Sequence, residues 1–184
     1  MERYRYMPAT GPTRFLPLVL IAIIAVLLPV PARAGMTDSD VISKFKEKDP
    51  GMTKLFADAY GYAIFPTVGK GAIGIGGARG KGRVYERGAL IGKTTLTQLS
   101  IGFQLGGQAY SEVVFFKDKT ALDDFKRGNF ELDAQASAVA LTARASRDLA
   151  YNRGVAIVTM AKGGLMYEAS VGGQKFSYKA TEDK

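Results

Sequence analysis

The sequence contains no cysteine and no histidine among its 184 residues. Their absence excludes zinc sites built on thiolate or imidazole, the Ser-His-Asp and Cys-His catalytic arrangements, and histidine as a general base. It also excludes disulfides and the cysteine that carries the lipid of a bacterial lipoprotein. Carboxylates alone remain as candidate acids, bases or metal ligands.

The closest carboxylate pairs do not suggest an active site. Asp123 and Asp124 are adjacent in a helical-looking segment, so they point to different sides of it, as solvated surface charges do. Glu131 and Asp133 would share one face of an extended segment, but nothing else converges on them. We therefore expect a protein that is not an enzyme and that uses no cofactor and no metal ion.

The N-terminal segment has the order of a secretory signal peptide. Three arginines precede an uncharged run over residues 15–30, and the run ends at the triplet Ala32-Arg33-Ala34. A retained transmembrane anchor is the weaker alternative, because the run is shorter than the ~20 apolar residues of a spanning helix and contains two prolines. We expect cleavage near Ala34 and a periplasmic or secreted protein, with peripheral membrane association as an option.

Residues 35–184 are expected to form a single domain. Loss of the first 34 residues leaves 150, and it removes four of the 25 basic and one of the 17 acidic side chains. The remaining chain is still basic, with a formal net charge of +5. Its length suits one ordinary domain with its own core.

The hydrophobic pattern predicts three short helices. The first follows Thr37 or Ser39 as N-cap, and the second has Asp49-Pro50 as N-cap and first helical residue. The third covers residues 119–127 behind Asp118 as N-cap.

From Gly61, which ends the second helix, the period of the pattern changes to two and predicts strands. We interpret "YAIFP", "AIGIGGAR" and "GKGRVYERGAL" as three strands, and "TTLTQLSIGFQLGGQ" with "AYSEVVFFK" as a hairpin turning near Gly106-Gly107. Further strands follow the third helix, with Gly163-Gly164 and Gly172-Gly173 in turn positions. The expected fold is α+β, a mostly antiparallel, barrel-like sheet with short N-terminal helices and one helix inserted after the central strands.

The glycine-rich stretch "VGKGAIGIGGARGKGRVYERG", residues 68–88, opens with G-x-G-x-x-G. A dinucleotide fingerprint needs a helix after the glycines and an acidic residue about 20 positions later. Here the following residues alternate like a strand, and no Asp or Glu occurs between Arg87 and Ser111. "RGALIGKTT" has three residues between its glycines, one fewer than a phosphate loop requires. We expect no nucleotide site.

The second half of this stretch places cations on one face of a strand. Because side chains alternate, "ARGKGRVYERG" presents one basic face with an aromatic, and the opposite face is mostly small or apolar. The basic face is Arg79, Lys81, Arg83, Tyr85 and Arg87, and the other is Gly80, Gly82, Val84 and Glu86. Two interpretations stay open: an ordinary solvated strand face, on which Lys and Arg also help to protect a sheet edge, or an anion-binding surface that Lys70 and Lys93 extend from neighbouring strands.

Export favours lipid headgroups over nucleic acid as the anion. Each basic residue near an anionic bilayer contributes about 1 kcal/mol of attraction. The first helix, with Val41, Ile42 and Phe45 on one side, either packs on the sheet or lies in the membrane interface with that side inward.

Three blocks occur in order over most of residues 61–176: "GYAIFPTVGKGAIGIGGARGKGRVY", "SIGFQLGGQAYSEVVFFKDKTALDDFKRGNFELDAQASAVA" and "KGGLMYEASVGGQKF". In this order they resemble the SYLF domain, a lipid-binding module of eukaryotic endocytic proteins and of exported bacterial proteins. The resemblance implies a noncatalytic α+β domain that binds anionic lipid through basic residues and an amphipathic N-terminal segment. Actin binding belongs to eukaryotic members, so actin is not an expected partner here. The family glycines match Gly69, Gly71, Gly76 and Gly77, which we interpret as fold determinants.

We therefore expect noncatalytic binding of anionic phospholipid or lipopolysaccharide headgroups in the cell envelope, through the basic strand face and the glycine-rich β segment. The expected headgroup contacts are Lys70, Arg79, Lys81, Arg83, Arg87 and Lys93. The alternative is an envelope interaction module that meets a protein partner through apolar sheet faces such as "SAVAL" and "VAIVTM".

Overall fold

A computed structural model describes residues 35–73, 75–101, 108–128, 130–132, 137–162, 169–170 and 172–181. The predicted signal peptide, residues 1–34, lies outside this set, and residues 34–184 form one compact unit. The helices are α1 (Asp38–Lys48), α2 (Met52–Asp58), α3 (Lys119–Lys126) and α4 (Ala145–Asp148). The strands are β1 (Gly61–Ile73), β2 (Ile75–Glu86), β3 (Ala89–Ile101), β4 (Gln108–Phe116), β5 (Phe130–Glu131), β6 (Ser137–Ala140), β7 (Val155–Lys162), β8 (Ala169–Ser170) and β9 (Gln174–Ala180).

The strands form a curled sheet in the order β5-β9-β3-β2-β1-β4-β7-β6-β8. Neighbouring strands are antiparallel, apart from the parallel pair β6 and β7. The curl brings β9 across to β4, where the Gln174 side chain donates to the Tyr110 hydroxyl at 3.2 Å. The expected α+β, barrel-like architecture is thereby confirmed, with α3 inserted after the central strands.

Two features of the predicted strand order are wrong. "AIGIGGAR" contains the end of β1, Ala72 and Ile73, and its residues 75–79 continue through "GKGRVYE" as the single strand β2. This strand turns into β3 at Arg87-Gly88 with φ of 48° and 84°. β3 pairs with β2 and β9, and β4 pairs with β1 and β7, so β3 and β4 form no hairpin. Their predicted turn at Gly106-Gly107 and the Gly163-Gly164 turn lie outside the described residues. The predicted turn at Gly172-Gly173 is present.

The helix starts follow local signals, with one exception. Thr37 caps α1 in a capping box with Asp40, and Asp118 caps α3 by accepting from the Ala121 N–H at 3.0 Å. The N-cap of α2 is Gly51, where Asp49 was predicted. The Asp49 carboxylate instead accepts from the backbone N–H groups of Gly51 at 2.9 Å and Ser146 at 2.6 Å, and so ties the α1–α2 connection to α4.

The glycines of the basic segment differ in what they allow. A Cβ on Gly82 would lie 2.6 Å from the Ile64 carbonyl oxygen, and one on Gly77 would lie 3.0 Å from that of Gln98, so both permit close packing. Gly69 and Gly71 have nothing within 4 Å of such a Cβ and no positive φ, so their interpretation as packing determinants is wrong. The surroundings of Gly76 lie outside the described part of the chain.

Apolar side chains cover the sheet on both faces. On the inner, concave face, Phe65, Phe116 and Phe176 pack with Phe125 of α3. On the outer face, helices α1, α2 and α4 cover β1, β4 and β7 through the residues Val41, Phe45, Met52, Ala145, Tyr62, Ile64, Val113, Phe115 and Val158. The four described helices thus leave most of the outer face of β2, β3 and β9 uncovered, apart from the contact of α1 with the end of β2.

Candidate functional site: the uncovered outer face of the sheet

Nine adjoining outward positions on three adjacent strands lie in the uncovered part of the outer face. Strand register places the residues of each row directly opposite one another. The rows are Arg79, Thr97 and Lys175; Lys81, Thr95 and Ser177; and Arg83, Lys93 and Lys179. We call these nine residues the cationic face, since six are basic, three carry a hydroxyl and none is acidic.

The row Arg83, Lys93 and Lys179 sets three cations side by side across adjacent strands. Strands lie about 5 Å apart, and like charges directly opposite each other destabilise a sheet. The arrangement therefore has no explanation in the stability of the sheet.

Edge protection does not explain the cations of β2 and β3 either. Both strands are inside the sheet, paired on each side, so neither presents a free edge that needs protection. Of the two interpretations open from the sequence, the solvated strand face therefore loses edge protection as a supporting reason, and the anion-binding surface stays a prediction.

Arg83 is held by a carboxylate from the first helix. Its Nε donates to Asp38 Oδ2 at 2.5 Å and its Nη2 to Asp38 Oδ1 at 3.0 Å, while the Tyr85 hydroxyl donates to Asp38 Oδ2 at 2.5 Å. This hydrogen bond to Asp38 raises the pKa of Arg83, and burial with the same carboxylate raises the pKa of Tyr85 to about 12. The Asp38 side chain is only 7% exposed, against 45% for Arg83.

Two of the six predicted headgroup residues lie off the cationic face. Lys70 pairs with Ala78, whose side chain is on the inner face, so Lys70 projects from the opposite side of the sheet to Arg79. Arg87 lies in the β2–β3 turn, where its guanidinium is 5.0 Å from the centre of the Tyr60 ring. Arg79, Lys81, Arg83 and Lys93 do share the face.

The apolar side of α1 is used by the core. Val41 and Phe45 are fully buried against the sheet and Ile42 is partly buried there, so in this conformation they are not available to a membrane. The core-packing alternative describes their position. Among the described residues no helix combines the length and the apolar character needed to span a bilayer.

Three residues of the site escaped sequence reasoning: Lys175, Lys179 and Asp38. The lysines alternate visibly in "QKFSYK", but only the pairing of β9 with β3 brings Lys179 beside Lys93 and Lys175 beside Thr97. Asp38 is 45 residues from Arg83 in the chain, and no local pattern links the two.

The carboxylates considered as catalytic groups form surface ion pairs. Glu131 lies 3.3 Å from Lys175, Asp124 lies 3.1 Å from Arg127, and Asp123 pairs with Lys119. Asp133 lies outside the described residues. Within the described ranges no cluster of three or more acidic side chains is arranged to hold a metal ion.

A different carboxylate, Glu112, is fully buried on the inner face. Its Oε2 accepts from the Gln174 side chain at 3.2 Å, while Oε1 has no hydrogen-bond partner among the described residues. Burial raises the pKa of Glu112 to about 8, so the side chain is largely protonated at neutral pH. It belongs to the interior and is separated from the cationic face by the sheet.

The apolar segments considered for a protein partner are largely covered. Residues 155–159 of β7 are buried, and in the described part of the chain Leu90, at 46% exposure, is the only large hydrophobic residue that is exposed. The face open to a ligand is therefore polar and basic.

Comparison with known proteins agrees with this architecture. Residues 97–184 match the Ysc84 family, described as "Las17-binding protein actin regulator". Beta cell expansion factor A of Aeromonas veronii is 31% identical over 144 residues, which are 77% of this chain and 54% of that protein, so the chain spans about half of that relative's length. Domains of this family are in general binding modules rather than enzymes. The ordered sequence blocks, the α+β sheet curled around α3 and both similarities agree with the SYLF family, whose domain is the one that the Ysc84 model matches over residues 97–184.

Proposed function

We propose that this chain binds anionic lipid headgroups, of phospholipid or lipopolysaccharide, through the cationic face. The observation that carries the proposal is the composition of that face: six cations and three hydroxyls on nine adjoining positions, without an acid among them. Arg and Lys donate charge-assisted hydrogen bonds to phosphate oxygens, and hydroxyl groups add neutral ones.

Four of the six cations are free to act on a ligand. Arg79, Lys81, Lys93 and Lys179 make no ion pair with any described residue, whereas Arg83 pairs with Asp38 and Lys175 with Glu131. At about 1 kcal/mol for each basic residue near an anionic bilayer, the four supply roughly 4 kcal/mol. Binding of this strength is peripheral and falls with salt, because the screening length is about 8 Å at physiological ionic strength.

The envelope is the compartment we propose for this activity, with the N-terminal segment removed near Ala34 on export. A protein partner bound through apolar sheet faces is less well supported, because the core covers most of those faces. Actin, named in the description of the matched family, would not be met by an exported chain.

The test is vesicle cosedimentation of the full chain with phosphatidylcholine alone and with added phosphatidylglycerol, at low and high salt. Phosphatidylcholine alone reports any contribution of the apolar N-terminal run. We expect added anionic lipid to increase sedimentation, salt to reverse the increase, and a fourfold Gln variant of the free cations to abolish it. The substituted residues are Arg79, Lys81, Lys93 and Lys179.

A second fourfold Gln variant serves as the charge-matched control. It replaces exposed cations outside the cationic face: Lys44, Lys48, Lys117 and Arg147. If the control variant loses as much binding as the first, net charge alone is responsible. If neither the wild type nor the control responds to anionic lipid, the proposed function is wrong.

A further inference from the structure

The cationic face contains a depression at the point where β2 and β3 meet the start of α1. Its volume is about 450 Å³, and it is lined by Asp38, Pro66, Lys81, Gly82, Arg83, Lys93, Thr94 and Thr95. We call this depression the β2–β3 pocket.

Asp38 uses only some of the N–H donors of Arg83, and the others remain for a ligand in the pocket. A guanidinium has five N–H groups, and Asp38 accepts from two nitrogens of one edge, Nε and Nη2. Because this contact is bidentate, it fixes the plane of the guanidinium. The Tyr85 hydroxyl holds the same carboxylate from another side, so the orientation of Arg83 does not depend on a ligand.

The charges of the pocket suit a compact dianion. Asp38 neutralises Arg83, while Lys81 and Lys93 have no acidic partner among the described residues, so two positive charges are left uncompensated. Thr95, between them on β3, adds a hydroxyl. The pocket thus offers two lysine ammonium groups and the planar guanidinium of Arg83, whose orientation is fixed. Together these donors suit one phosphate group.

We propose that the β2–β3 pocket is a discrete site for a single phosphate group, and that Asp38 is the positioning residue that orients Arg83 toward it. The inference rests on the proposed function and goes further, because it replaces attraction spread over a face by one stereochemically defined site. The phosphate belongs either to a monoester lipid headgroup or to a free phosphate ion.

Attraction spread over the face and a defined pocket predict opposite changes in anion affinity for one substitution. If attraction is spread over the face, Asp38→Asn removes a negative charge and tightens anion binding. If Asp38 orients Arg83, the same substitution weakens binding by roughly tenfold, the equivalent of one charge-assisted hydrogen bond. Arg83→Lys keeps the charge but removes the planar guanidinium donors, so we expect it to lower the affinity by a similar factor.

The experiment measures binding of the full chain to phosphatidylcholine vesicles that contain phosphatidic acid, with inorganic phosphate as competitor and chloride at equal ionic strength as its control. We expect weaker binding for Asp38→Asn and for Arg83→Lys, and no additional loss when the two substitutions are combined. Glu47→Gln, which removes an exposed charge on α1, is the control and should leave the dissociation constant unchanged. Competition by inorganic phosphate supports a free-ion ligand, and its absence, with vesicle binding retained, supports the lipid monoester.

Tighter or unchanged binding of Asp38→Asn would overturn the inference while leaving the proposed function intact. Failure of the wild type to bind any anionic vesicle would instead remove the proposed function. Circular dichroism and urea unfolding check that α1 stays docked in Asp38→Asn. If it does not, Arg83→Lys decides alone, and undiminished binding of that variant counts against the pocket.

Discussion

The outer face of the sheet has two halves with the same strand geometry but different side chains and different helix coverage. On β1, β4 and β7 the outward side chains are apolar, among them Ile64, Val113 and Phe115, and three helices cover them. On β2, β3 and β9 the nine outward positions of the cationic face are cations and hydroxyls, and among the described residues α1 reaches them only through the contact of Asp38 with Arg83. The same pleated surface has thus become a core layer in one half and an open surface in the other.

The contact between Asp38 and Arg83 lies on the boundary between these halves. Asp38 is the first residue of α1, which covers the apolar half, and Arg83 belongs to the cationic face. The helix therefore has two separate attachments: apolar packing through Phe45 and an ion pair at its start. Stability should depend mainly on the first half and ligand binding on the second.

The largest expected effect is a loss of stability from a substitution in the apolar half. Phe45→Ala removes a fully buried ring between α1 and the sheet and should lower the free energy of unfolding by ~3–5 kcal/mol, since the cavity left behind adds to the lost burial. Urea denaturation measures the loss. Lys44→Ala, exposed on the same helix, should change stability by about 0.5 kcal/mol or less. Equal losses for both variants would mean that α1 is not docked as described.

A second contrast sets the buried carboxyl group of Glu112 on the inner face against the solvated charges of the outer face. With the pKa of Glu112 raised from 4.5 to about 8, the folded chain keeps a proton between these values that the unfolded chain releases. Stability should therefore fall as pH rises through this window, by up to about 1.4 kcal/mol per pH unit, and show no further change from this group above it. Glu112→Gln should flatten the dependence.

Because the chain contains no histidine, the pH dependence of stability in this window reports mainly on Glu112. No side chain with an ordinary pKa titrates between about pH 5 and 8 in the absence of histidine, which leaves the α-amino group as the other contributor. Unfolding free energies at three or four pH values within the window are sufficient. Glu131→Gln on the exposed outer side should keep the wild-type slope, and a flat wild-type profile would show that Glu112 ionises normally.

Features set by neighbouring residues could be predicted from the sequence. The caps of α1 and α3 depend on Thr37 with Asp40 and on Asp118, each within three or four residues of the group it satisfies. The alternation of Arg79, Lys81 and Arg83 is equally local, because it follows from the pleat of one strand. These predictions agree with the structure.

Features set by long-range pairing could not be predicted. The neighbours of β3 are β2 and β9, the latter some 80 positions further along the chain, and no turn signal announces the second pairing. For that reason Lys179 was missed beside Lys93 and a β3–β4 hairpin was predicted in its place. Lys70 was misplaced because the parity of a strand fixes which face a residue takes, and a bulge between Ile64 and Thr67 resets that parity.

The smallest expected effect tests whether the cationic face trades stability for binding. Lys93 stands between Arg83 and Lys179, with a like charge directly opposite on each side. Lys93→Thr relieves both repulsions and introduces a residue that suits strands, so it should raise the free energy of unfolding by about 0.5 kcal/mol at low salt. High salt should remove the gain, since exposed charges are then screened. Urea unfolding at two salt concentrations measures both values.

The same variant should bind anionic vesicles more weakly than the wild type, because it loses one of the two uncompensated charges of the β2–β3 pocket. A gain in stability together with a loss in binding would show that the row of cations persists at a cost to the sheet. Thr97→Ser, on the same strand and face but without a change in charge, controls for the substitution itself. If Lys93→Thr instead destabilises the fold at every salt concentration, the lysine stem packs on the sheet and repulsion across the row is negligible.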